Sequence, residues 1–150
     1  MQFSGNEFFA AALKEAKKAY AIGEVPVGAV IVKDNTIVAK AHNLVETHSN
    51  PTFHAELLAL SEAFKKLGSK YLFDCDIYVT LEPCPMCAHA ISLAKIRRLY
   101  FSATDIKSGG VISGPKIFRA SSCHHSPEII YGIMENKSIS LLKQFFSERR

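Results

Sequence analysis

The chain has 150 residues, 48% of them apolar and 21% charged, and its 18 lysines and arginines against 14 acidic residues give a net charge of +4. About 150 residues can bury roughly 70% of the unfolded surface, so one domain with a continuous core is expected from end to end. No apolar run approaches the roughly 20 residues of a membrane-spanning helix, and the mild positive excess suits an anionic partner without demanding one. Residues 1–12 carry no basic segment ahead of their apolar residues, so they do not read as a signal peptide, and a cytoplasmic location is expected. In that compartment the four cysteines point to metal or free thiols over disulfides. Cys75 and Cys123 stand alone and read as small buried or loop thiols.

From Asn6 to Ala21 the apolar residues Phe9, Leu13, Ala16 and Tyr20 recur at helical spacing, with Gly23 as a stop. Val25 to Val32 is a β-branched run expected to form a strand buried on both faces. Asp34-Asn35 makes a turn into a second strand, Thr36 to Ala41. After a polar loop, a helix is expected from Thr52 to Leu67, with Thr52 as N-cap, His54 in the first turn and Gly68 at the end. Asp76 to Leu81 reads as a strand, Pro85 to Ala94 as a short helix with proline at its start, and Arg97 to Ser102 as a strand. A Gly/Ser-rich loop from Ser108 to Pro115, a short strand from Glu128 to Ile133 and a helix from Asn136 to Arg149 complete the chain. Strands alternating with helices after the first hairpin predict an α/β fold, a mixed five-stranded sheet with helices on both faces.

Two short motifs carry the chemistry: His54-Ala55-Glu56, and Pro83-Cys84-Pro85-Met86-Cys87. One imidazole and two thiolates are the three protein ligands of a catalytic zinc, which keeps its fourth position for water, whereas a structural zinc closes all four. The order H-x-E then P-C-x-x-C is the known signature of zinc nucleobase deaminases. Cys84 and Cys87, three apart at a helix start, share one face, where the helix dipole favours thiolate. Glu56 suits a carboxylate beside the metal water, carrying protons from it to a ring nitrogen and to departing ammonia in a hydrolytic deamination. A structural zinc with a fourth ligand such as His89 is the alternative. His42, His48, His124 and His125 read as solvated or hydrogen-bonded residues.

Over nearly its whole length, about residues 7–149, the sequence resembles the bacterial tRNA-specific adenosine deaminases of the cytidine deaminase-like superfamily. The resemblance rests on Glu24-Val25-Pro26-Val27-Gly28-Ala29-Val30, Asn43, Pro51-Thr52, Tyr78-Val79-Thr80-Leu81-Glu82-Pro83-Cys84, Met86-Cys87-Ala88, Asp105 and Phe145-Phe146. It implies a three-layer α/β/α fold and a homodimer that converts adenosine to inosine at the wobble position of a tRNA anticodon. It makes His54, Cys84 and Cys87 the Zn²⁺ ligands and Glu56 the catalytic proton carrier. It also makes Asn43, Ala55 and Asp105 substrate contacts in a site that takes a flipped base. The basic residues Lys143, Arg149 and Arg150 are compatible with phosphate contacts and, read by themselves, equally with a solvated chain end. Phe53, Asn50, His89 and the 108–114 loop depart from the family's usual residues, and Phe53 is expected to re-line the pocket mouth.

Two rival readings are compatible with the zinc motif. One is a deaminase of a free nucleobase or nucleoside such as guanine or cytosine, because the motif activates water and says nothing of pocket size. The other is a non-catalytic, zinc-stabilised RNA-binding module, against which the unliganded Glu56 argues. Ile91, Leu93 and Ile96 suit either a core or a dimer interface.

Overall fold

A computed structural model describes residues 5–149. Its elements in chain order are α1 (Gly5–Ala21), β1 (Gly28–Lys33), β2 (Thr36–His42), α2 (Ala55–Leu67), β3 (Cys75–Leu81), α3 (Pro85–Leu93), β4 (Arg98–Ala103), a single 3₁₀ turn at Ile117–Arg119, β5 (Glu128–Tyr131) and α4 (Glu135–Ser147). The strands lie in one sheet in the order β2-β1-β3-β4-β5. β1 pairs antiparallel with β2 and β3, and β3, β4 and β5 run parallel, so the sheet is mixed, as expected. No helix among the described residues is long and apolar enough to cross a membrane.

Alternation along the central strands builds the two helix-covered faces. Ala29, Ile31, Ile77, Val79, Leu99 and Phe101 point to the side where Ala59, Leu60 and Ala63 of α2 and Ala88 and Ile91 of α3 pack. Val30, Val32 and Tyr78 point the other way, onto Phe8, Phe9 and Ala12 of α1, with Tyr100 and Met134 beside them. There Tyr78 and Tyr100 stack at 4.2 Å, and Phe9 sets its edge against Tyr78 at 5.3 Å. These contacts explain why β1 reads as a nearly continuous apolar run. It is covered on both faces.

The strand begins later than its apolar run. Pro26 has no N–H to give a ladder, and the Val27 N–H closes a tight turn on the Val25 carbonyl at 2.8 Å, so regular pairing starts at Gly28. A Cβ at Gly28 would lie 2.0 Å from the Ala12 carbonyl oxygen, so α1 crosses β1 in backbone contact at that residue. Asp34 and Asn35 both adopt positive φ, the geometry of a tight hairpin turn. Gly23, at φ +82°, ends α1 while the Glu24 N–H returns to the Ala19 carbonyl at 2.9 Å, and Gly68 at φ +62° ends α2.

The largest departure from the sequence expectation is at the start of α2. The helix begins at Ala55, not Thr52, and its N-cap is His54. Thr52 is occupied elsewhere, its N–H and hydroxyl both donating to Asn50 Oδ1 at 2.9 and 2.7 Å. α3 begins in the same way, with Cys84 as N-cap and Pro85 in the first turn. Both starts lie at the edge reached by the carboxyl ends of the parallel strands, where open α/β sheets place ligands.

Candidate active site

Neither N-cap side chain makes the usual side-chain cap hydrogen bond to its helix. A Ser or Asp in that place would turn back to the first-turn amides. His54 and Cys84 instead project forward in extended backbone, at φ/ψ of −79°/150° and −69°/170°. They meet Cys87 from the first turn of α3. His54 Nδ1 lies 3.6 Å from both Cys84 Sγ and Cys87 Sγ, and the three donor atoms are within 4.8 Å of one another. A tetrahedral zinc with Zn–S of about 2.3 Å and Zn–N of about 2.0–2.1 Å sets nitrogen and sulfur about 3.6 Å apart. The donor set therefore fits zinc in kind and in spacing. His89 is half-buried and outside the cluster, so among the described residues no fourth protein ligand is grouped with the three.

The electrostatics of the cluster call for a cation. Cys84 is pulled down to about 4 by the hydrogen bond from the Cys87 thiol, against the cost of burial and with help from His54. Cys87 is driven far up by that same sharing with Cys84 and by burial, and then by the charge of Glu56. His54 is raised, first by its bond to Cys84. A half-buried and a buried thiol in contact cannot both ionise beside a carboxylate unless positive charge lies between them. A divalent ion held by the three donors would supply it.

Glu56 is 4% exposed and stands apart from the three donors, reaching the cluster through a hydrogen bond with the Cys87 thiol. Burial lifts its carboxyl to about 7, with the Cys84 charge adding to the rise. Because His54 precedes the helix, the 100° step per residue does not separate it from Glu56, and the two residues can address one centre. The distance between them around a helix, an obstacle when His54 is placed in a first turn, disappears.

His54, Glu56, Cys84, Asn43 and Asp105 line one cleft of about 330 Å³, with Val25, Val27 and Leu81 as its apolar walls. That volume is at the lower end of ordinary ligand clefts, roughly 300–1,000 Å³. Cys87 and Ala55 are fully buried behind it. Asn43 Oδ1 accepts the Ala55 N–H at 2.8 Å, taking the place of the missing cap and leaving the amide NH₂ of Asn43 for the cleft. Asp105 Oδ1 accepts the Ser108 N–H at 3.0 Å and shapes the loop on the far wall. Phe53 does not line the cleft: its ring packs on His48, 5.4 Å away, inside the β2–α2 loop.

The sequence reading missed Glu24 and Glu82, two buried carboxylates in the cleft wall. The available signal was a glutamate at the edge of an apolar strand, one before Val25-Pro26-Val27 and one between Leu81 and Pro83. The Gly-rich loop also has a structural reason. A Cβ at Gly109 would meet Glu82 Cδ at 2.4 Å, and one at Gly110 would meet Pro85 N at 2.6 Å. Arg149 lies folded back over the Phe145 ring at 3.6 Å, and Arg150 is outside the described residues.

Comparison with known proteins agrees with this geometry. Residues 4–103 match the family described as the cytidine and deoxycytidylate deaminase zinc-binding region. The chain is 48% identical over 147 residues to a tRNA-specific adenosine deaminase of Aquifex aeolicus, covering 97% of each. It is 43% identical to that of Bacillus subtilis, covering 93% of this chain and 86% of the relative. A solved structure from a study of A-to-I editing by tRNA:A34 deaminases at the wobble position superposes with a TM-score of 0.90 at 44% identity, over 91% of this chain and 99% of that one. A guanine deaminase of Bacillus subtilis shares 39% identity and a TM-score of 0.65 over 68% of this chain and 66% of that one. With a zinc-binding deaminase region spanning two thirds of its length and 48% identity to a tRNA-specific adenosine deaminase over 97% of both chains, the chain belongs to the tRNA-specific adenosine deaminase family.

Proposed function

We propose that this protein is a single-domain, zinc-dependent hydrolase that converts adenosine to inosine at the wobble position of a tRNA anticodon. The observation that carries the chemistry is a three-donor cluster with a buried, unliganded carboxylate beside it, both opening onto one cleft. His54 Nδ1, Cys84 and Cys87 hold the metal. Bound zinc supplies the acidity that brings a water's pKa from 15.7 to about 7. Glu56 carries the protons: burial favours its neutral form, a cation in the cluster opposes that, and the carboxyl is left able to take up a proton and give it back. Asn43, oriented by the Ala55 N–H, offers its amide NH₂ to the base edge, and Asp105 and Ser108 hold the opposite wall.

The size of the substrate is supported by a second groove of about 630 Å³, which has Leu81 in common with the lining of the cleft and is otherwise lined by residues such as Thr104, Lys143 and Phe146. Phe146 is half exposed and offers a ring for an unstacked base, with Lys143 beside it for phosphate, which suits an anticodon loop better than a free base. A homodimer is supported by Leu93, 64% exposed, which lines an apolar groove with Leu57, Leu60, Phe64 and Tyr71 between α2 and α3. Of the three apolar residues near the site, Ile91 and Ile96 are core and only Leu93 is free for an interface. The cytoplasm, where tRNA is found, is the proposed location.

The test is inosine formation in total tRNA and in an anticodon stem-loop, with ammonia release from free adenine, guanine and cytosine measured in parallel. Inosine at the first anticodon position is the expected product. Ammonia from guanine alone would move the assignment to the guanine deaminase branch.

A further inference from the structure

Two carboxylates that the chemistry above does not use lie against the cleft. Glu24, between α1 and β1, and Glu82, between β3 and α3, both line it and are 1% and 2% exposed. Among the described residues neither forms an ion pair. Each is stabilised instead by the backbone of a loop. Glu24 Oε1 accepts the Glu46 N–H at 3.0 Å, and its Oε2 accepts both the N–H and the hydroxyl of Thr47 at 2.6 Å. Glu82 Oε1 accepts the Asp105 N–H and the Ser113 hydroxyl at 2.9 Å, and its Oε2 accepts the N–H groups of Val111, Ile112 and Ser113 at 3.0 Å. Burial by itself would raise both carboxyls, yet these donors hold them below their usual value.

The two loops are the two walls of the cleft. Residues 44–53 carry Val45, Glu46 and Pro51, and residues 104–116 carry Asp105 and Ser108. Neither wall belongs to a strand or a helix, although the second is also held by the Gly110 N–H on the Pro83 carbonyl at 2.8 Å. The first is closed on itself, with Leu44 N–H to Phe53 O at 3.0 Å and Asn50 N–H to Val45 O at 3.0 Å. It is one self-closed unit, and the Glu24 carboxylate ties its middle to the rest of the molecule.

We propose that Glu24 and Glu82 are positioning residues, which hold the two loop walls of the cleft at the width and orientation its substrate requires. The metal ligands and Glu56 stand at the starts of α2 and α3, packed into the core, so loss of the Glu24 clasp displaces the wall and leaves the reacting groups in place. The substrate named here rests on the proposed function; the loop clasp does not.

The test uses the zinc-loaded full-length protein, an anticodon stem-loop RNA, and the variants Glu24→Gln and Thr47→Val. Glu24→Gln keeps the shape of the side chain but replaces an accepting oxygen with an NH₂ group facing N–H donors. Hydrogen exchange at the amides of Glu46 and Thr47 is expected to speed up by roughly tenfold to a hundredfold, the loss of a charged hydrogen bond. KM rises by a similar factor, kcat stays within about threefold and zinc per chain is unchanged. Thr47→Val removes only the hydroxyl contact and shifts exchange and KM the same way by less; it also decides the matter if Glu24→Gln does not fold. Unchanged exchange at both amides overturns the proposal, as does a fall in kcat at constant KM, which would make Glu24 a substrate contact. Failure of the wild type to form inosine sinks the functional reading instead, and the exchange measurement still judges the clasp.

Discussion

Gly110 offers a direct test of how closely the 104–116 loop is fitted to the metal-ligand segment. Its N–H donates to the Pro83 carbonyl at 2.8 Å, and its own carbonyl accepts the Ile117 N–H at 2.8 Å. A Cβ there would lie 2.6 and 2.7 Å from the Pro85 nitrogen and Cα and 2.9 Å from the Cys84 carbonyl carbon. All three are backbone atoms that no rotamer change can move. Restoring ordinary contact at 3.4 Å requires the loop or the Cys84-Pro85 segment to shift by about 0.8 Å. Overpacking of this kind costs about 1–3 kcal/mol, and each kcal/mol lowers Tm by roughly 2–4 °C in a chain of this size. A displacement on the order of 1 Å at reacting groups costs on the order of a hundredfold in rate. Gly110→Ala is therefore expected to lower both Tm and kcat/KM for inosine formation, the latter by roughly tenfold to a hundredfold. Gly68→Ala is the control: its φ of +62° makes alanine cost about 1–2 kcal/mol, but nothing lies within 4 Å of the new methyl and it sits at the far end of α2. It should lower Tm and leave kcat/KM alone. If Gly110→Ala behaves like this control, with kcat/KM within about threefold of wild type, the close fit of loop to ligand segment has no catalytic consequence and the reasoning is wrong.

Glu56→Ala is expected to bind zinc at the wild-type ratio and to lose roughly 10²- to 10⁴-fold in turnover, the usual share of a positioned acid–base group; a near-normal rate per bound zinc would remove Glu56 from the mechanism. Glu15, buried on α1, is held below its ordinary 4.5 by Lys18 at 2.7 Å and His42 at 3.0 Å despite burial, which acts the other way. Its folded pKa lies below the unfolded one, so its contribution is complete above about pH 4.5 and is lost as pH falls through the folded value. Urea unfolding from pH 3 to 7 should show Glu15→Gln less stable than wild type at pH 7, with the gap closing in acid; a constant gap would refute the linkage. Leu93→Asp should convert a dimer to a monomer in sedimentation equilibrium, and a wild type already monomeric at micromolar concentration would leave Leu93 without that role.

The order of elements was legible because each carries its own period or punctuation. Phe9, Leu13 and Ala16 mark α1, the Val25–Val32 run marks a strand covered on both faces, and Asp34-Asn35 marks the hairpin. The starts of β1 and α2 were not legible. Pro26 ends an apolar run's right to pair, and Thr52 has the right chemistry for a cap, but its donors were taken by Asn50, a neighbour whose competing turn no periodicity reveals. Phe53 read as a pocket residue from its position beside His54, whereas packing turned its ring onto His48.

The metal chemistry belongs to the sequence, since residue types and spacing alone limit a His, two Cys and an unliganded Glu to a few reactions. What the sequence could not hold is the relation between segments distant along the chain. Glu24 meets Glu46 and Thr47, and Glu82 meets Asp105 and residues 111–113, each a bond between a buried carboxylate and loop amides, while Asn43 of a loop caps the Ala55 amide at the start of α2. A buried carboxylate must find donors wherever the folded backbone brings them. Only the tertiary structure decides which amides those are, and with them the walls of the cleft.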